Sequence, residues 1–345
     1  MKNMELAKLK DPLLAWYDKE KRILPWRKDP ADPYGVWVSE IMLQQTRVET
    51  VKEYYKNFLS VLPDVAALAA ADEALLMKLW QGLGYYSRVR NMAKGAKIIM
   101  EKFSGIFPRE TEEIRSLPGI GDYTAGAIAS IAFYKPEPAV DGNVERILSR
   151  AVGENRERKV FAEALKKIYP AEGDKRCSDL TQSLMELGAT VCLPNGAPLC
   201  GKCPWKDLCF AAKHNRIGDF PAKKIKPARK IVKLNVFLMD DGSHIVLHQR
   251  PENGLLAGLW EFPNAEGEGD ETSVRTYLGS LGMTVHELQK KSMRKHIFTH
   301  IEWHMTPWQI RVETATLPQD WIPVPYKDLQ EIYALPTAFR KLFQQ

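Results

Sequence analysis

Four cysteines in the middle of the chain have the spacing of a metal centre. Cys192, Cys200, Cys203 and Cys209 are separated by seven, two and five residues. Four thiolates this close can surround one zinc ion or one iron–sulfur cluster, and the spacing alone does not choose between them. The odd total of five cysteines also favours a metal site over a disulfide framework. Cys177 lies outside the pattern, and we expect it to be a small buried residue.

Two carboxylates are candidates for acid and base chemistry. Glu40 lies in an apolar stretch, residues 36–46, so it is either exposed on a helix face or held in a pocket. A pocket would raise its pKa and keep it protonated, ready to act as a general acid. Asp141 directly precedes a predicted helix, and its alternative role is to cap that helix. Spacing alone does not decide between the catalytic and the structural role for either residue.

Two further features predict contact with a phosphate backbone. Gly119 and Gly121 lie in a Leu-Pro-Gly-Ile-Gly turn, after which a predicted helix would offer free backbone N–H groups to a phosphate. Lys202 and Lys206 lie inside the cysteine loop, where a rigid metal centre would fix their charge. An ordinary helix hairpin and solvated lysines account for the same residues equally well.

Hydrophobic periodicity divides the elements that must position these groups into two kinds. Up to residue 212 the spacing is helical, and it predicts helices at 36–58, 72–83, 87–103, 112–117, 122–133, 143–152, 159–168 and 178–190. Beyond residue 230 the pattern is mixed, with predicted strands at 233–239, 244–249, 260–263, 296–305 and 307–312 and predicted helices at 272–281 and 326–343. We therefore expect a helical domain over 1–212, a linker over 213–230 and a mixed α and β domain over 231–345.

Composition and charge exclude several classes of protein. The chain has 345 residues, enough for two domains of about 150 residues each. A hydrophobic fraction of 45% excludes a disordered or collagen-like chain. No apolar stretch is long enough for a membrane span or a signal peptide, so we expect a cytoplasmic protein without membrane contact. The basic excess is concentrated in residues 213–233, which favours a solvated linker, with contact to a polyanion as the alternative.

Six motifs, taken together and in order, resemble those of the adenine DNA glycosylases, the MutY family of the endonuclease III superfamily. They are PWR (25–27), SEIMLQQT (39–46), GLGYYSR (82–88), LPGIG (117–121), VDGNV (140–144) and the cysteine loop (192–209). The resemblance runs over essentially the whole chain. It implies a multidomain protein, in which an all-α helix-hairpin-helix glycosylase domain with an iron–sulfur cluster loop precedes an α+β Nudix-like domain. It also implies one 4Fe-4S cluster and a monomer that removes adenine opposite 8-oxoguanine or guanine in double-stranded DNA.

The resemblance also implies roles for individual residues. Glu40 matches the family's glutamate that protonates the departing adenine, and Asp141 matches the aspartate that stabilises the sugar cation. Tyr123 and Asn143 match residues that support these two. Such chemistry is sensible, because a poor leaving group needs a proton and an oxocarbenium-like centre needs a nearby carboxylate.

The substrate contacts that the resemblance implies fall into two groups. Gln45 and Tyr85, beside Leu83, match residues that enter the DNA helix and hold 8-oxoguanine, and residues 298–300 correspond to a loop that reads this base. The candidates for the pocket that receives the flipped adenine are Arg27, Leu43, Thr46, Gln182 and Glu186.

Several positions depart from the family or discriminate within it. Bifunctional lyases of the superfamily carry a lysine where Tyr123 stands, so we expect a glycosylase that leaves the DNA strand intact. The loop Phe298-Thr299-His300 has threonine in place of the usual serine and keeps the hydroxyl group. The first gap between the cysteines is seven residues instead of six. The C-terminal domain lacks the acidic box that holds Mg²⁺ in Nudix hydrolases, so we expect no nucleotide pyrophosphatase activity.

Three other functions compete with this hypothesis. A glycosylase for oxidised pyrimidines is disfavoured by Tyr123 and by the C-terminal domain. A DNA-binding protein without catalysis is disfavoured by the retained Glu40 and Asp141. A Nudix-type hydrolase with a helical tether is disfavoured by the missing acidic box.

Overall fold

The computed structural model describes residues 3–222, 228–312, 317–331, 333 and 335–343. The chain forms two compact units. The first unit comprises Met1–Ala71 and Ser87–Ile225, and the second comprises Asp72–Tyr86 and Lys226–Gln345. The bounds at 212 and 230 drawn from composition stay predictions. Residues 214–222 are hydrogen-bonded within the first unit, for example through Arg150 Nε to the Phe220 carbonyl at 3.0 Å.

The described residues of the first unit contain helices and no β-strand. The helices up to residue 213 are α1 (Asn3–Glu20), α2 (Pro33–Leu43), α3 (Val48–Val61), α4 (Val65–Ala70), α5 (Glu73–Trp80), α6 (Ser87–Phe103), α7 (Thr111–Arg115), α8 (Asp122–Phe133), α9 (Gly142–Val152), α10 (Arg158–Lys166), α11 (Arg176–Thr190) and α12 (Phe210–Lys213). Of these, α5 belongs to the second unit. Within the described chain, no helix has the length and apolar character that crossing a membrane requires.

The prediction of one continuous helix over 36–58 is wrong. The helix ends at Leu43, and a second helix begins at Val48. Gln45 between them has a φ of 60°, which a continuing helix does not allow. The buried Arg88 caps the end of α2, because its Nη1 donates to the carbonyl groups of Ile41 at 2.7 Å and Gln44 at 2.7 Å. Periodicity missed this break because the capping side chain comes from a distant part of the sequence.

Close approach of backbone to backbone fixes the segment that carries Asp141. A Cβ atom placed on Gly126 in α8 would lie 2.6 Å from the carbonyl oxygen of Pro138. Only glycine allows α8 to lie this close to the chain that leads into α9. The N-terminus of α9 is thereby held against α8.

A hydrophobic core of the first unit supports the cysteine loop. Helices α1, α9, α10 and α11 pack around a cluster of buried aliphatic and aromatic side chains that includes Trp205. The indole N–H of Trp205 donates to the Leu9 carbonyl at 2.9 Å. The side chains of Cys192, Cys203 and Cys209 pack against the same cluster. The loop is therefore tied to the helical body through its tryptophan.

The second unit is built on a mixed sheet. Its strands are β1 (Lys230–Asp240), β2 (His244–Gln249), β3 (Trp260–Glu261), β4 (Asn264–Glu266), β5 (Glu287–Lys290), β6 (Arg294–Ile297), β7 (Ile301–Arg311) and β8 (Trp321–Pro325). The order is β3-β2-β1-β7-β5, with β4 on β1, β6 on β7 and β8 on β2. The pairing of β1 with β7 is parallel, and the others are antiparallel. Two buried clusters lie on the sheet, one containing residues of α13 (Glu271–Ser280) and one containing residues of α15 (Thr337–Phe343).

Four sequence expectations in this unit need correction. The predicted strand 296–305 is divided between β6 and β7 by the turn at residues 298–300. We expected two strands separated at Pro307, but β7 runs through this residue. The Pro307 carbonyl still accepts a hydrogen bond from Lys291 N at 2.8 Å. The predicted helix 326–343 is two short helices, α14 (Asp328–Glu331) and α15, because Pro336 separates them. Strand β8 was not predicted, since two prolines disguise its alternation.

Substitution of Gly126 tests the close approach of α8 to Pro138. We expect Gly126→Ala to lower the free energy of unfolding by about 1–3 kcal/mol, because the added methyl group overlaps the Pro138 carbonyl. Gly218→Ala is the control in the same unit, where a Cβ meets nothing within 4 Å, and it should cost under about 0.5 kcal/mol. Urea denaturation measures both. Equal stability of the two variants would show that the contact at Gly126 is loose.

Candidate active site

A cavity of about 870 Å³ in the first unit gathers most of the predicted catalytic and adenine-pocket residues. Its walls come from the chain after α1 and from helices α2, α8, α9 and α11. The predicted residues that line it are Arg27, Glu40, Leu43, Thr46, Tyr123, Asp141, Asn143, Gln182 and Glu186. Gln45, Leu83, Tyr85 and residues 298–300 do not line it.

Glu40 is buried in the wall of this cavity. Its exposed fraction is 6%, and it projects from the apolar helix α2. Burial raises the pKa of Glu40 to about 7, and the negative charge of Asp141 acts in the same direction. A hydrogen bond from Tyr123 and the charge of Arg27 oppose the shift without cancelling it. Glu40 therefore holds a proton at neutral pH far more often than an exposed glutamate does.

Asp141 caps α9, the structural role that its position predicts. Its Oδ1 accepts from the backbone N–H groups of Asn143 at 2.9 Å and Val144 at 2.8 Å. Its Oδ2 accepts from Asn143 Nδ2 at 2.9 Å. Asn143 is oriented in turn by Arg146, whose Nη1 donates to the amide oxygen at 3.0 Å. Capping and catalysis are compatible here, because the bonds hold the carboxylate in one orientation while it lines the cavity.

Tyr123 lies near Glu40 at the start of α8. Burial raises the pKa of its hydroxyl group well above the ordinary value, and the charges of Glu40 and Asp141 add to this effect. The phenol therefore stays neutral. Its hydroxyl also lies 3.9 Å from the sulfur atom of Met185. The residue can donate a hydrogen bond to a carboxyl group, but it offers no amine to a substrate.

Glu186 is held as an anion by two arginines. Its side chain is 1% exposed, and its Oε1 lies 2.6 Å from Arg22 Nε. Its Oε2 accepts from Arg27 Nη2 at 2.6 Å and from Arg22 Nη2 at 3.0 Å. Burial alone would raise the pKa of Glu186, but these two cations hold it below its ordinary value. The sequence analysis did not predict Arg22, because this residue lies outside the Pro-Trp-Arg motif. The only signal in the sequence was a second arginine five residues before Arg27.

The break between α2 and α3 presents Gln45 to solvent. Gln45 is exposed, and its positive φ depends on the Arg88 cap described above. Thr46 beside it is half buried and faces the cavity, with its hydroxyl 3.4 Å from the Gln44 carbonyl. Gln45 thus lies on the protein surface, whereas its neighbour Thr46 lines the cavity.

The remaining predicted substrate contacts lie in the second unit. Phe298 packs edge-on against Trp303, with ring centroids 4.9 Å apart, and residues 298–300 form the turn between β6 and β7. Thr299 and His300 are exposed at its tip. The hydroxyl groups of Tyr85 and Thr299 lie 2.6 Å apart. Leu83, two residues before Tyr85, is buried.

The glycine turn between α7 and α8 is stabilised by α6. Gly119 has a φ of 78°, and a Cβ there would lie 2.9 Å from the Cβ of Asn91. Gly121 is the N-cap of α8 and has open space around it. This leaves the first backbone N–H groups of α8 accessible, as a phosphate contact requires. Lys202 and Lys206 are exposed in the cysteine loop.

The four cysteines line one cavity of about 410 Å³, and they form no disulfide. Arg150 and Trp205 complete its wall, and Arg150 Nη1 lies 3.3 Å from Cys192 Sγ. Within the described residues, no three His, Cys, Asp or Glu side chains converge as the ligands of a single metal ion. Cys177 lies apart from them and is fully buried, as expected.

Comparison with known proteins identifies the family. Residues 38–171 match the model of the HhH-GPD superfamily of base excision DNA repair proteins, and residues 235–345 match a NUDIX domain. The human adenine DNA glycosylase is 36% identical over 99% of this chain and 74% of its own length. The chain belongs to the adenine DNA glycosylase family. A relative from Buchnera aphidicola (subsp. Baizongia pistaciae) with the same name is 33% identical over 88% of this chain and 86% of its own length.

Membership makes the protein an adenine DNA N-glycosylase of base excision repair. Solved structures agree with the fold of an adenine DNA glycosylase. A thermostable thymine-DNA glycosylase has a TM-score of 0.56 and 27% identity, and it covers 61% of this chain and 98% of its own. Endonuclease III in a non-covalent DNA complex has a TM-score of 0.54 and 23% identity over 62% of this chain and 98% of its own. The expectation of a helix-hairpin-helix domain followed by a Nudix-like domain is confirmed.

Removal of Arg22 tests how this adenine DNA glycosylase holds Glu186. We expect Arg22→Ala to lower the free energy of unfolding by about 2 kcal/mol, because a buried carboxylate loses charged hydrogen bonds. Adding Glu186→Gln should restore part of the loss, since the buried charge is then gone. Lys56→Ala breaks an exposed ion pair and is the control, with an effect under about 0.5 kcal/mol. Equal losses for Arg22→Ala and Lys56→Ala in urea denaturation would contradict the assignment.

Proposed function

We propose that this protein removes adenine mispaired with 8-oxoguanine or guanine, with Glu40 as general acid and Asp141 as the carboxylate that stabilises the sugar cation. The buried Glu40, with its pKa raised to about 7 in a cavity that Asp141 also lines, is the observation that carries the proposal. Of the cavity's volume of about 870 Å³, which includes space open to solvent, about 210 Å³ can hold the centre of a water molecule, and this leaves room for a flipped base.

The proposed reaction has two steps, departure of adenine from the sugar, which breaks the N-glycosidic bond, and addition of water to the sugar. Glu40 donates its proton to a ring nitrogen of adenine, which leaves as a neutral base with the electron pair of the bond. Positive charge develops on the deoxyribose, and the ionised Asp141 lies on the cavity wall to stabilise it. A water molecule then adds to the sugar and gives its proton to the Glu40 carboxylate, which leaves an abasic site and restores the acid. Tyr123 and Asn143 position the two carboxyl groups through their hydrogen bonds.

The other polar groups of the cavity suit recognition of adenine. Glu186 is an acceptor, and the guanidinium groups of Arg22 and Arg27 are donors, so the three complement the edge of a base that has both. Gln182 adds an amide, which donates to Ser178 Oγ at 3.0 Å. Leu43 and Thr46 complete the proposed pocket.

Several features support a glycosylase that does not cut the strand. Tyr123 stands at the position where the lyases of the superfamily carry lysine, and the described lining of the cavity contains no lysine. An arginine guanidinium is a poor nucleophile at neutral pH, since it stays protonated. Schiff-base formation with the sugar therefore has no amine to start from.

Recognition of the opposing 8-oxoguanine is proposed for Gln45, Leu83, Tyr85 and the 298–300 turn. The exposure of Gln45 and the projection of Thr299 and His300 from a fixed turn support this role. Gly119, Gly121, Lys202 and Lys206 are the proposed contacts to phosphates of the DNA, which the protein would bind as a monomer.

We also propose one 4Fe-4S cluster in the cysteine cavity. In such a cluster each iron takes one thiolate, and the four cysteines that line one cavity supply the four thiolates that it needs. Cys192, Cys200, Cys203 and Cys209 would hold it and so fix the loop with Lys202 and Lys206. The cluster would supply structural cross-linking of four points of the chain.

The pH dependence of adenine release tests Glu40. Because only protonated Glu40 can donate, the single-turnover rate should fall as the pH rises through about 7, approaching about tenfold per pH unit above it. Glu40→Gln should bind the mispaired duplex but release adenine at least about a thousandfold more slowly, without this pH dependence. Asp179→Asn, outside the cavity, is the control and should keep the parent profile. A rate that is flat from pH 6 to about 9 would remove Glu40 as the acid.

A panel of duplexes tests the substrate and the reaction type. Single-turnover base release would be measured for adenine opposite 8-oxoguanine, guanine or thymine, and for thymine glycol opposite adenine. We expect fast adenine release opposite 8-oxoguanine, slower release opposite guanine, release opposite thymine at least about a hundredfold slower, and strand nicking only after alkali. Strong nicking without alkali would refute the monofunctional mechanism, and cleavage at thymine glycol would refute the substrate.

A further inference from the structure

A cavity of about 750 Å³ in the second unit is unrelated to the catalytic cavity. We name it the C-terminal cavity. It lies on the face of the sheet that α15 partly covers. Its lining includes the apolar side chains of Leu238, Ile245, Pro307, Leu342 and Phe343. Its volume includes space open to solvent, and about 210 Å³ of it can hold the centre of a water molecule, which leaves room for a small ligand.

The aromatic wall of the C-terminal cavity suits a flat ligand. The rings of Tyr326 and Phe343 stack, with centroids 5.7 Å apart and an angle of 19° between their planes. Leu238 and Pro307 line the cavity with them. Aliphatic and aromatic surfaces together are the environment in which an unstacked base regains the contacts that it loses outside a helix.

Two cations line the same cavity without a counter-charge. Lys291 and Arg294 both border it, and within the described residues neither forms an ion pair. The one carboxylate of the lining, Asp240, is already neutralised, because its Oδ1 lies 2.8 Å from Arg311 Nη1. The C-terminal cavity therefore carries a net positive charge of two that an anion can neutralise.

Because side chains alternate between the two faces of a strand, these two cations and the neighbouring lysines lie on opposite faces of the sheet. Arg294 pairs in register with Met305, which belongs to the buried cluster on the cavity face. Lys295 is the next residue and projects from the opposite face, where its Nζ lies 3.8 Å from Glu302. Lys290 likewise lies over the ring of Trp308 at 5.3 Å and does not line the cavity.

We propose that the C-terminal cavity binds a single unstacked nucleotide, with the base against Tyr326 and the apolar wall and the phosphate at Lys291 and Arg294. The exposed amide of Gln309 and the hydroxyl of Tyr326 also line the cavity, and they offer hydrogen bonds to the edge of the base. The same chemistry is presented by a free nucleotide and by one nucleotide of a single-stranded DNA segment. Neither is processed here, and the site is independent of the glycosylase cavity.

The test compares charge reversals that make the same change in net charge on opposite faces of the sheet. The full-length protein would be titrated with deoxyguanosine 5′-monophosphate, with deoxyguanosine and with a short single-stranded oligonucleotide, using calorimetry. We expect Lys291→Glu/Arg294→Glu to weaken binding of the nucleotide at least about tenfold. Lys290→Glu/Lys295→Glu makes the same change in net charge on the other face and should stay within about twofold of the parent. Deoxyguanosine, which lacks the phosphate, should bind at least about tenfold more weakly than the nucleotide.

The three ligands distinguish the two sources of the nucleotide. Loss of binding confined to the cavity-facing variant supports the site, as a pocket for free nucleotides if the monophosphate binds and as a pocket for a strand if only the oligonucleotide does. Equal effects of the two double variants, or no binding of either ligand, would overturn it. Thermal melting checks the fold, and the pair Arg294→Gln and Lys295→Gln repeats the comparison with a smaller perturbation.

Discussion

Burial of the Glu40 carboxyl group determines its charge, and the surrounding helices have to be compatible with an uncharged acid at that point. An ionised carboxylate removed from water would need a cation or several donors around it. The hydroxyl of Tyr123 and the charge of Arg27 do not compensate ionisation of Glu40 fully, and the negative charge of Asp141 opposes it. Helix α2 can therefore be apolar around Glu40, and its packing keeps water from restoring the ordinary acidity.

The same cavity contains a second buried glutamate, Glu186, whose pKa is shifted in the opposite direction. Glu186 is even less exposed than Glu40, yet two arginines bond to it and keep it ionised. Burial is common to the two residues, so the difference lies in the partners that reach them from the chain after α1. One cavity thus contains a buried glutamate with a raised pKa and a buried glutamate held as an anion. The division of roles needs no difference in solvent exposure, only a difference in neighbouring charge.

The sequence predicted which residues line the cavity better than it predicted the helix ends and close contacts around it. Motif residues such as Glu40 and Asp141 were predicted as site residues because a family pattern contains them, and both line the cavity. Arg22 was missed because it lies between motifs, and the break after Leu43 was missed because the side chain that caps it, Arg88, is distant in sequence. The close contact at Gly126 was likewise invisible. Local periodicity records which face of a helix is apolar, whereas caps and close approaches depend on residues that only the fold brings together.

The capping of α2 by Arg88 also has a kinetic meaning. It fixes the exposed Gln45 in an unusual backbone conformation without any DNA. On our proposal that Gln45 enters the duplex, the protein loses little conformational entropy at that moment, and the resistance to entry comes from the stacking of the DNA itself. A rigid probe of this kind samples weakly stacked pairs more often than strong ones. Damage would then be sorted by the mechanics of the duplex before any base reaches Glu40.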